Sequence, residues 1–230
     1  MEDVIDFVWW RCLDGYEAVP TRRRGQGRRS ASIGSGMGMR SKSRRFEPYE
    51  PCKVPSSALF RTVVDFPRTP DGMVSLSNAY GLINDTKYEG QRGTPTSEAT
   101  LLDELTTQHV ALANAIALLE RGRRQELVQY FNRSWGDRSW GVCRHELRLD
   151  PDGRIYRVLV PRNLIHALWM QFAAHVESDA KLVRCGRCGQ WFRTGTGMGR
   201  RDTAKWCSKA CKQAAWAAKQ GGIDGAGSHS

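Results

Sequence analysis

The stretch RCGRCGQWFRTGTGMGRRDTAKWCSKACKQAAWAAKQ, residues 184–220, holds four of the seven cysteines of the chain. They form two close pairs, Cys185-x2-Cys188 and Cys207-x3-Cys211, separated by 18 residues. Three interpretations are open for such thiols: half of a disulfide framework, a redox pair, or the ligands of a metal ion. Each requires something different of the rest of the chain.

The N-terminus argues against the disulfide interpretation. The first ten residues, MEDVIDFVWW, begin with acidic residues and lack the basic segment and apolar run of a secretory signal. We therefore expect a reducing compartment, where thiols stay free unless they bind metal or do redox chemistry. Mean hydropathy is −0.53, and no apolar run approaches the roughly 20 residues of a membrane span. The sequence predicts a cytoplasmic protein without a membrane partner.

The spacing of the cysteines favours a metal over a redox pair. A thioredoxin-like pair needs a βαβ context and makes no use of a second pair. Two short-spaced pairs instead supply the four soft ligands of tetrahedral Zn²⁺, each about 2.3 Å from the metal. Gly186 and Gly189 permit a tight turn in the first pair, and the second pair is spaced by one helical turn. The predicted ligands of one Zn²⁺ are Cys185, Cys188, Cys207 and Cys211.

These elements predict a treble-clef-like module over residues 181–220. Residues 190–193 would form a strand, residues 203–206 would return beside it, and a helix would begin near Cys207. Four protein ligands close the tetrahedron and leave no position for a reacting water, so the zinc is expected to be structural. None of the five histidines lies in the module, and we expect no enzyme activity.

The positive charge of the chain is concentrated in two segments. Residues 20–45 carry nine Arg or Lys and no acidic residue, and residues 184–220 carry nine against one acidic residue. Subtracting both from the net charge of +11 leaves −6 for the rest of the chain. Concentrated positive charge is typical of proteins whose partner is nucleic acid or another acidic surface.

On a helical wheel the C-terminal helix is one-sided. Its long polar side chains and one indole fall within an arc of about 120°, and the opposite arc holds Cys211 and alanines, expected to press against the knuckle. Lys and Gln reach phosphates and base edges, and Trp stacks on bases. The predicted nucleic-acid surface is Arg200, Arg201, Lys209, Lys212, Gln213 and Trp216. Two alternatives stay open: the helix contacts a protein, or Trp216 packs on the body and the remainder is a solvated face.

The rest of the chain predicts a mainly α fold with one β-hairpin. The clearest helix covers residues 97–121, capped by Ser97, and another covers 163–176. Residues 143–160 alternate around the turn sequence Asp150-Pro-Asp-Gly153 and predict the hairpin. The predicted domains are an N-terminal extension (1–19), a flexible basic linker or arm (20–45), a mainly helical domain (46–180), the four-cysteine zinc module (181–220) and a flexible tail (221–230).

The motif RCGRCGQWF, the basic loop after it, and WCSKAC with its basic helix resemble the CGNR-type zinc finger. In bacteria that finger follows an ABATE-type helical domain, and residues 60–81, FRTVVDFPRTPDGMVSLSNAYG, are similar to segments of related proteins. The resemblance implies a stress-induced transcription regulator. Cys211-Lys212-Gln213-Ala214 stands where the family has Cys-Gly-Asn-Arg, so zinc ligation carries over and the contacts of that Asn and Arg do not.

Residues and resemblance together predict a zinc-binding, DNA-binding transcriptional regulator. A single finger has a small footprint on DNA, so specific binding would need a homodimer or a second contact such as the basic arm. The alternative is a zinc-stabilised module that binds a protein and no nucleic acid. A nuclease is disfavoured because the module lacks the His and carboxylate residues that hold a catalytic metal.

Overall fold

The structure of the chain is a computed structural model that describes residues 4–5, 7–21, 36–51, 57–83, 100–134, 143–149, 151–178, 180–196 and 200–221. Within these ranges it has ten strands and six helices. The strands are β1 (Val4–Ile5), β2 (Trp9–Cys12), β3 (Tyr16–Pro20), β4 (Met37–Ser41), β5 (Phe46–Tyr49), β6 (Thr100–Leu101), β7 (Cys143–Leu149), β8 (Ile155–Pro161), β9 (Lys181–Arg184) and β10 (Trp191–Thr194). The helices are α1 (Leu59–Val64), α2 (Pro70–Tyr80), α3 (Leu102–Glu120), α4 (Arg124–Ser134), α5 (Leu164–Val176) and α6 (Lys209–Gly221).

The strands form four small sheets, so the prediction of a mainly α fold with one hairpin is wrong. Two sheets have three strands, in the orders β1-β8-β7 and β3-β4-β6, and two are pairs, β2-β5 and β9-β10. Among these strands every pairing is antiparallel except that of β1 with β8. Five of the strands lie in residues 4–49, where the sequence predicts an extension (1–19), a basic linker (20–45) and the start of the helical domain. They are short, and their stability comes from partners distant in the chain and not from an alternating pattern of their own.

The helices begin and end where local chemistry favours it. The Thr69 side chain accepts a hydrogen bond from the backbone N–H of Gly72, Pro70 follows at the first helical position, and Gly81 ends α2 with φ of +78°. Asn163 caps α5 in the same way, accepting from the N–H of His166 at 3.1 Å. Helix α5 confirms the helix predicted over 163–176, and β7 and β8 confirm the hairpin.

One apolar cluster joins the helices to the N-terminal strands. Trp169 packs edge-on against Phe172, and Phe172 against Phe60, with ring centroids 5.9 and 5.6 Å apart. Phe7 and Trp9 are only 5% and 3% exposed in the same cluster. The N-terminal residues that the structure describes are therefore part of the core of the body.

Two other expectations meet the boundary of what the structure describes. Within the segment expected to be a flexible linker, β4 is a strand with Met39 fully buried, while residues 22–35 lie outside the described residues. The long helix predicted over 97–121 is α3, preceded by the two-residue β6, and Ser97, expected to cap it, lies outside the described residues. Among the helices of the described ranges, none is both long enough and apolar enough to cross a membrane.

Candidate metal centre

The first cysteine pair lies in the turn of the β9–β10 hairpin. Strand β10 pairs antiparallel with β9, and Trp191 is opposite Arg184 at the end next to the turn. The expected return strand over residues 203–206 is not formed, and after β10 the chain makes one isolated bridge, Gly195 with Arg200. Strand β9 lies along one edge of β10, and Ser57 bridges to Phe192 on that strand. The prediction that residues 203–206 pair with β10 is therefore wrong.

Backbone hydrogen bonds shape the cysteine turn. The N–H of Cys185 donates to Gln190 O at 2.9 Å, and the N–H of Gly189 donates to Cys185 O at 3.0 Å. Gly189 has φ of +72°, a conformation that L side chains rarely adopt, so its predicted role is confirmed. Gly186 has no such angle, and a Cβ there would lie 3.7 Å from Lys205 O, which is an ordinary contact. Its N–H donates to that oxygen at 3.0 Å and joins the turn to the second pair.

The structure brings all four cysteines together. Their Sγ atoms lie within 4.8 Å of one another, and they are the only such group of possible metal ligands in the part of the chain that the structure describes. Cys207 Sγ is 3.6 Å from Cys188 Sγ and 3.5 Å from Cys211 Sγ. A tetrahedron with Zn–S bonds of about 2.3 Å has S···S edges of about 3.8 Å. The cluster can hold one metal ion, and the prediction that these four residues form one site is confirmed.

The sulfurs differ in their surroundings. Burial acts to raise the pKa of the Cys185 thiol, but the backbone N–H groups of Cys188, Cys207 and Arg187 point at its sulfur and lower the pKa to about 6. For Cys207, burial and the neighbouring thiols together raise the pKa. Four thiols at van der Waals contact resist sharing more than one negative charge, and a divalent cation at their centre would stabilise the thiolate form of all four.

Helix α6 begins beside the second pair. Ser208 caps it: its Oγ accepts from the N–H of Cys211 at 3.1 Å, and its backbone oxygen accepts from Lys212 N–H at 3.1 Å. The helix therefore starts with Cys211 in its first turn, where the positive end of the helix dipole favours a thiolate. Ser208 was missed by the sequence interpretation, although a serine ahead of a helix is an ordinary capping signal.

The predicted nucleic-acid residues lie on α6 and in the loop before Cys207. Trp216 is 63% exposed, so it does not pack on the body as one alternative had it. The polar residues of α6 in this group, together with Arg201, are exposed, and Arg200 is half-buried. The alanine face is also exposed at Ala210, Ala214, Ala217 and Ala218. The expectation that this face presses against the knuckle is therefore wrong for these positions.

A set of contacts that sequence reasoning missed joins the metal centre to the body. Trp191 Nε1–H donates to Asp65 Oδ2 at 2.6 Å, and the Arg61 guanidinium lies 4.7 Å from the centroid of the Trp191 ring. The next residues of β10 are buried, with Phe192 2% and Thr194 0% exposed. The sequence signal for this contact was the aromatic pair Trp191-Phe192 after the cysteine turn. Nothing in the sequence identifies the partners, Arg61 on α1 and Asp65 directly after it.

No model of a known protein family matches the chain, and no curated protein matches it. The features of the described residues that bear on function are therefore the cysteine cluster, the helix that begins beside it and the surface charge.

Proposed function

We propose that the chain is a zinc-dependent DNA-binding transcriptional regulator, of the CGNR type that its C-terminal segment resembles. The observation that carries the proposal is the placement of α6: Cys211 in its first turn belongs to the cluster of four sulfurs, and the polar residues Lys209, Lys212 and Gln213 are exposed. The role is one of binding and not of catalysis.

Zinc is the metal that best fits the donor set. Four thiolates within a few ångströms form a soft tetrahedral site, which selects Zn²⁺ over oxygen-preferring cations such as Mg²⁺ or Ca²⁺. All four positions of the tetrahedron are filled by protein, so the metal would hold the turn and the helix in place. We expect one Zn²⁺ per chain by elemental analysis. Cys211→Ser should lose it, and Cys143→Ser, a change in the β7 strand, should retain it.

The α6 surface fits a nucleic-acid partner in charge and in chemistry. Lys209, Lys212 and Gln213 are exposed. Lysine ammonium groups suit phosphate contacts, a glutamine amide suits base edges, and the exposed indole of Trp216 offers a stacking face. In place of the family's Asn and Arg, Lys212 and Gln213 provide the donors. Four thiolates and Zn²⁺ together contribute −2, which leaves a segment of residues 184–220 that is still strongly basic.

The test is fluorescence anisotropy of the zinc-loaded protein with a mixed-sequence DNA duplex at about 50 and about 200 mM salt. Neutralising about five phosphates predicts a log–log slope of affinity against salt near −4 to −5. Lys209→Glu and Lys212→Glu should weaken binding at the lower salt by about tenfold or more, and Arg124→Glu, at an exposed position on α4, should not. A flat salt response, or no binding at 50 mM, would contradict the proposal.

A second candidate, a zinc-stabilised protein-binding module, is favoured by one observation. The alanine face of α6, on the side of the helix opposite Trp216, is exposed at Ala210, Ala214, Ala217 and Ala218, and an exposed apolar face is typical of a protein-interaction site. Ala214→Lys separates the two candidates. It should abolish capture of a protein partner while leaving DNA affinity unchanged or slightly raised.

A further inference from the structure

The β7–β8 hairpin exposes an unusual amount of apolar surface at its tip. Leu147, Leu149 and Ile155 are 75%, 66% and 70% exposed. Leu149 is paired directly with Ile155, and Leu147 is two residues before Leu149. Paired residues and alternate residues share a face of an antiparallel ladder, so the three side chains lie together on one face.

Strand β7 is also an edge of its sheet among the described residues, with β8 on one side. It runs for seven residues in unbroken register with β8, and its sequence, CRHELRL, contains no proline. Natural proteins shorten, bulge or cover such edges, because a long regular edge with apolar side chains pairs with another strand. Among the described strands, β7 therefore offers an edge suited to pairing with a further strand.

We propose that the partner is β7 of a second copy of this chain, paired antiparallel about a two-fold axis at Leu147. In this register Leu147 faces Leu147 of the other copy. Glu146 faces the other copy's Arg148, and Arg148 faces its Glu146. The pairing joins two three-stranded sheets into one and merges the two apolar patches on one face.

Charge decides the occupant, and charge and the apolar patch together decide the register. Within one chain, Glu146 and Arg148 are half-buried and already form an ion pair at 2.9 Å along the strand. A two-fold axis at Leu147 repeats that attraction twice across the interface, whereas an axis at Glu146 would set two carboxylates directly opposite each other. An axis at His145 would also set Glu146 opposite an arginine, but it would separate the two Leu147 side chains, so the apolar patch selects the axis at Leu147. In that register the strand is self-complementary, which is the property an isologous interface requires.

The interface is small. Specific interfaces bury about 1,200–2,000 Å², and pairing confined to one hairpin lies at the low end, so the dimer is expected to form at micromolar concentrations. The inference does not rest on the proposed function, since the mass of the protein is measured without nucleic acid. If both hold, the dimer presents two copies of α6 to one duplex.

The test is sedimentation equilibrium of the full zinc-loaded chain from about 1 to about 200 µM. The mass should rise from 25.9 kDa, that of one chain, toward twice that value. Glu146→Arg and Arg148→Glu should each remain monomeric over this concentration range. In either variant, residues of like charge would face each other in both cross-strand pairs between positions 146 and 148. Mixed together, the two variants should associate with each other, since the two arginines of one variant then face the two glutamates of the other in both cross-strand pairs. Circular dichroism checks that each variant is folded.

Leu147→Lys should also keep the protein monomeric, and the matched control Val128→Lys should not, because Val128 is an exposed apolar residue on α4. Three results would overturn the inference: a wild-type chain that is monomeric at all concentrations, a dimer that survives both charge reversals, or two variants that do not associate on mixing.

Discussion

The body and the metal centre reach a defined structure by opposite means. In the body, large side chains such as Trp169, Phe172 and Phe60 are at most 2% exposed and pack on one another. Residues 195–221 have no such core: in the described part most side chains are exposed or half-buried. In that region the cluster of four sulfurs takes the stabilising place that the apolar contacts have in the body. The two regions should therefore lose their structure under different perturbations. A metal chelator should unfold the C-terminal region, and a cavity in the core should destabilise the body.

The largest expected effect is that of metal removal. Structural zinc contributes about 10–16 kcal/mol of apparent folding free energy in small modules. A strong chelator, or Cys211→Ser, should therefore unfold residues 203–221 and leave the body intact. Hydrogen exchange with mass spectrometry should show lost protection in α6 and retained protection in α5. Loss of protection in α5 together with α6 would contradict the independence of the two regions, because they would then unfold as one cooperative unit.

The matching insult to the body is a cavity. Phe172→Ala removes a fully buried ring between Phe60 and Trp169 and should cost about 3–5 kcal/mol. Urea unfolding followed by tryptophan fluorescence measures the cost. Val176→Ala, on the same helix but 41% exposed, should cost less than about 1 kcal/mol. Zinc content at low denaturant should be unchanged in both variants; loss of zinc from the folded Phe172→Ala protein would merge the two regions.

The sequence predicted the elements whose signals are local. The β7–β8 hairpin follows from its turn residues, α5 from its apolar stripe and the sulfur cluster from cysteine spacing. Strands β2 and β5 have no comparable signal, because Trp9 pairs with Tyr49 across 40 residues of chain and each strand is only four residues long. The contact of Trp191 with Asp65 spans 126 residues. Such pairings depend on the packed body and not on the pattern of either segment.

The pH dependence of the free energy of unfolding tests His175 of α5, which lies near Arg193 of β10. His175 is 8% exposed, and burial, reinforced by Arg193, lowers its pKa from 6.5 to about 4. Between these values the unfolded chain binds the proton and the folded chain does not. Stability therefore falls as the pH drops from about 7 to about 4, by about 3 kcal/mol from this group. His175→Leu should remove that part of the pH dependence of the free energy of unfolding, and His145→Leu, at an exposed position, should not. Parallel curves for wild type and His175→Leu would contradict the assignment.

The smallest expected effect is at the contact that joins the regions. Trp191→Phe removes the N–H donated to the Asp65 carboxylate and keeps most of the ring area. For a partly exposed pair we expect a cost of about 1 kcal/mol. A double-mutant cycle with Asp65→Asn isolates the interaction, and zinc affinity measured on the same variants shows whether the contact couples to the metal. A coupling energy near zero would mean that the ring packing alone positions the hairpin.

The burial of β10 limits how far the cysteine module can be separated from the body. Its cysteine turn and helix point outward, but Phe192 and Thr194 are seated in the body and Ser57 bridges to the strand. Residues 181–221 expressed alone would carry the Phe192 and Thr194 side chains without the body residues that cover them. A transplant of the cysteine module into another protein should therefore include the segment around α1, or supply a recipient surface that covers these two side chains.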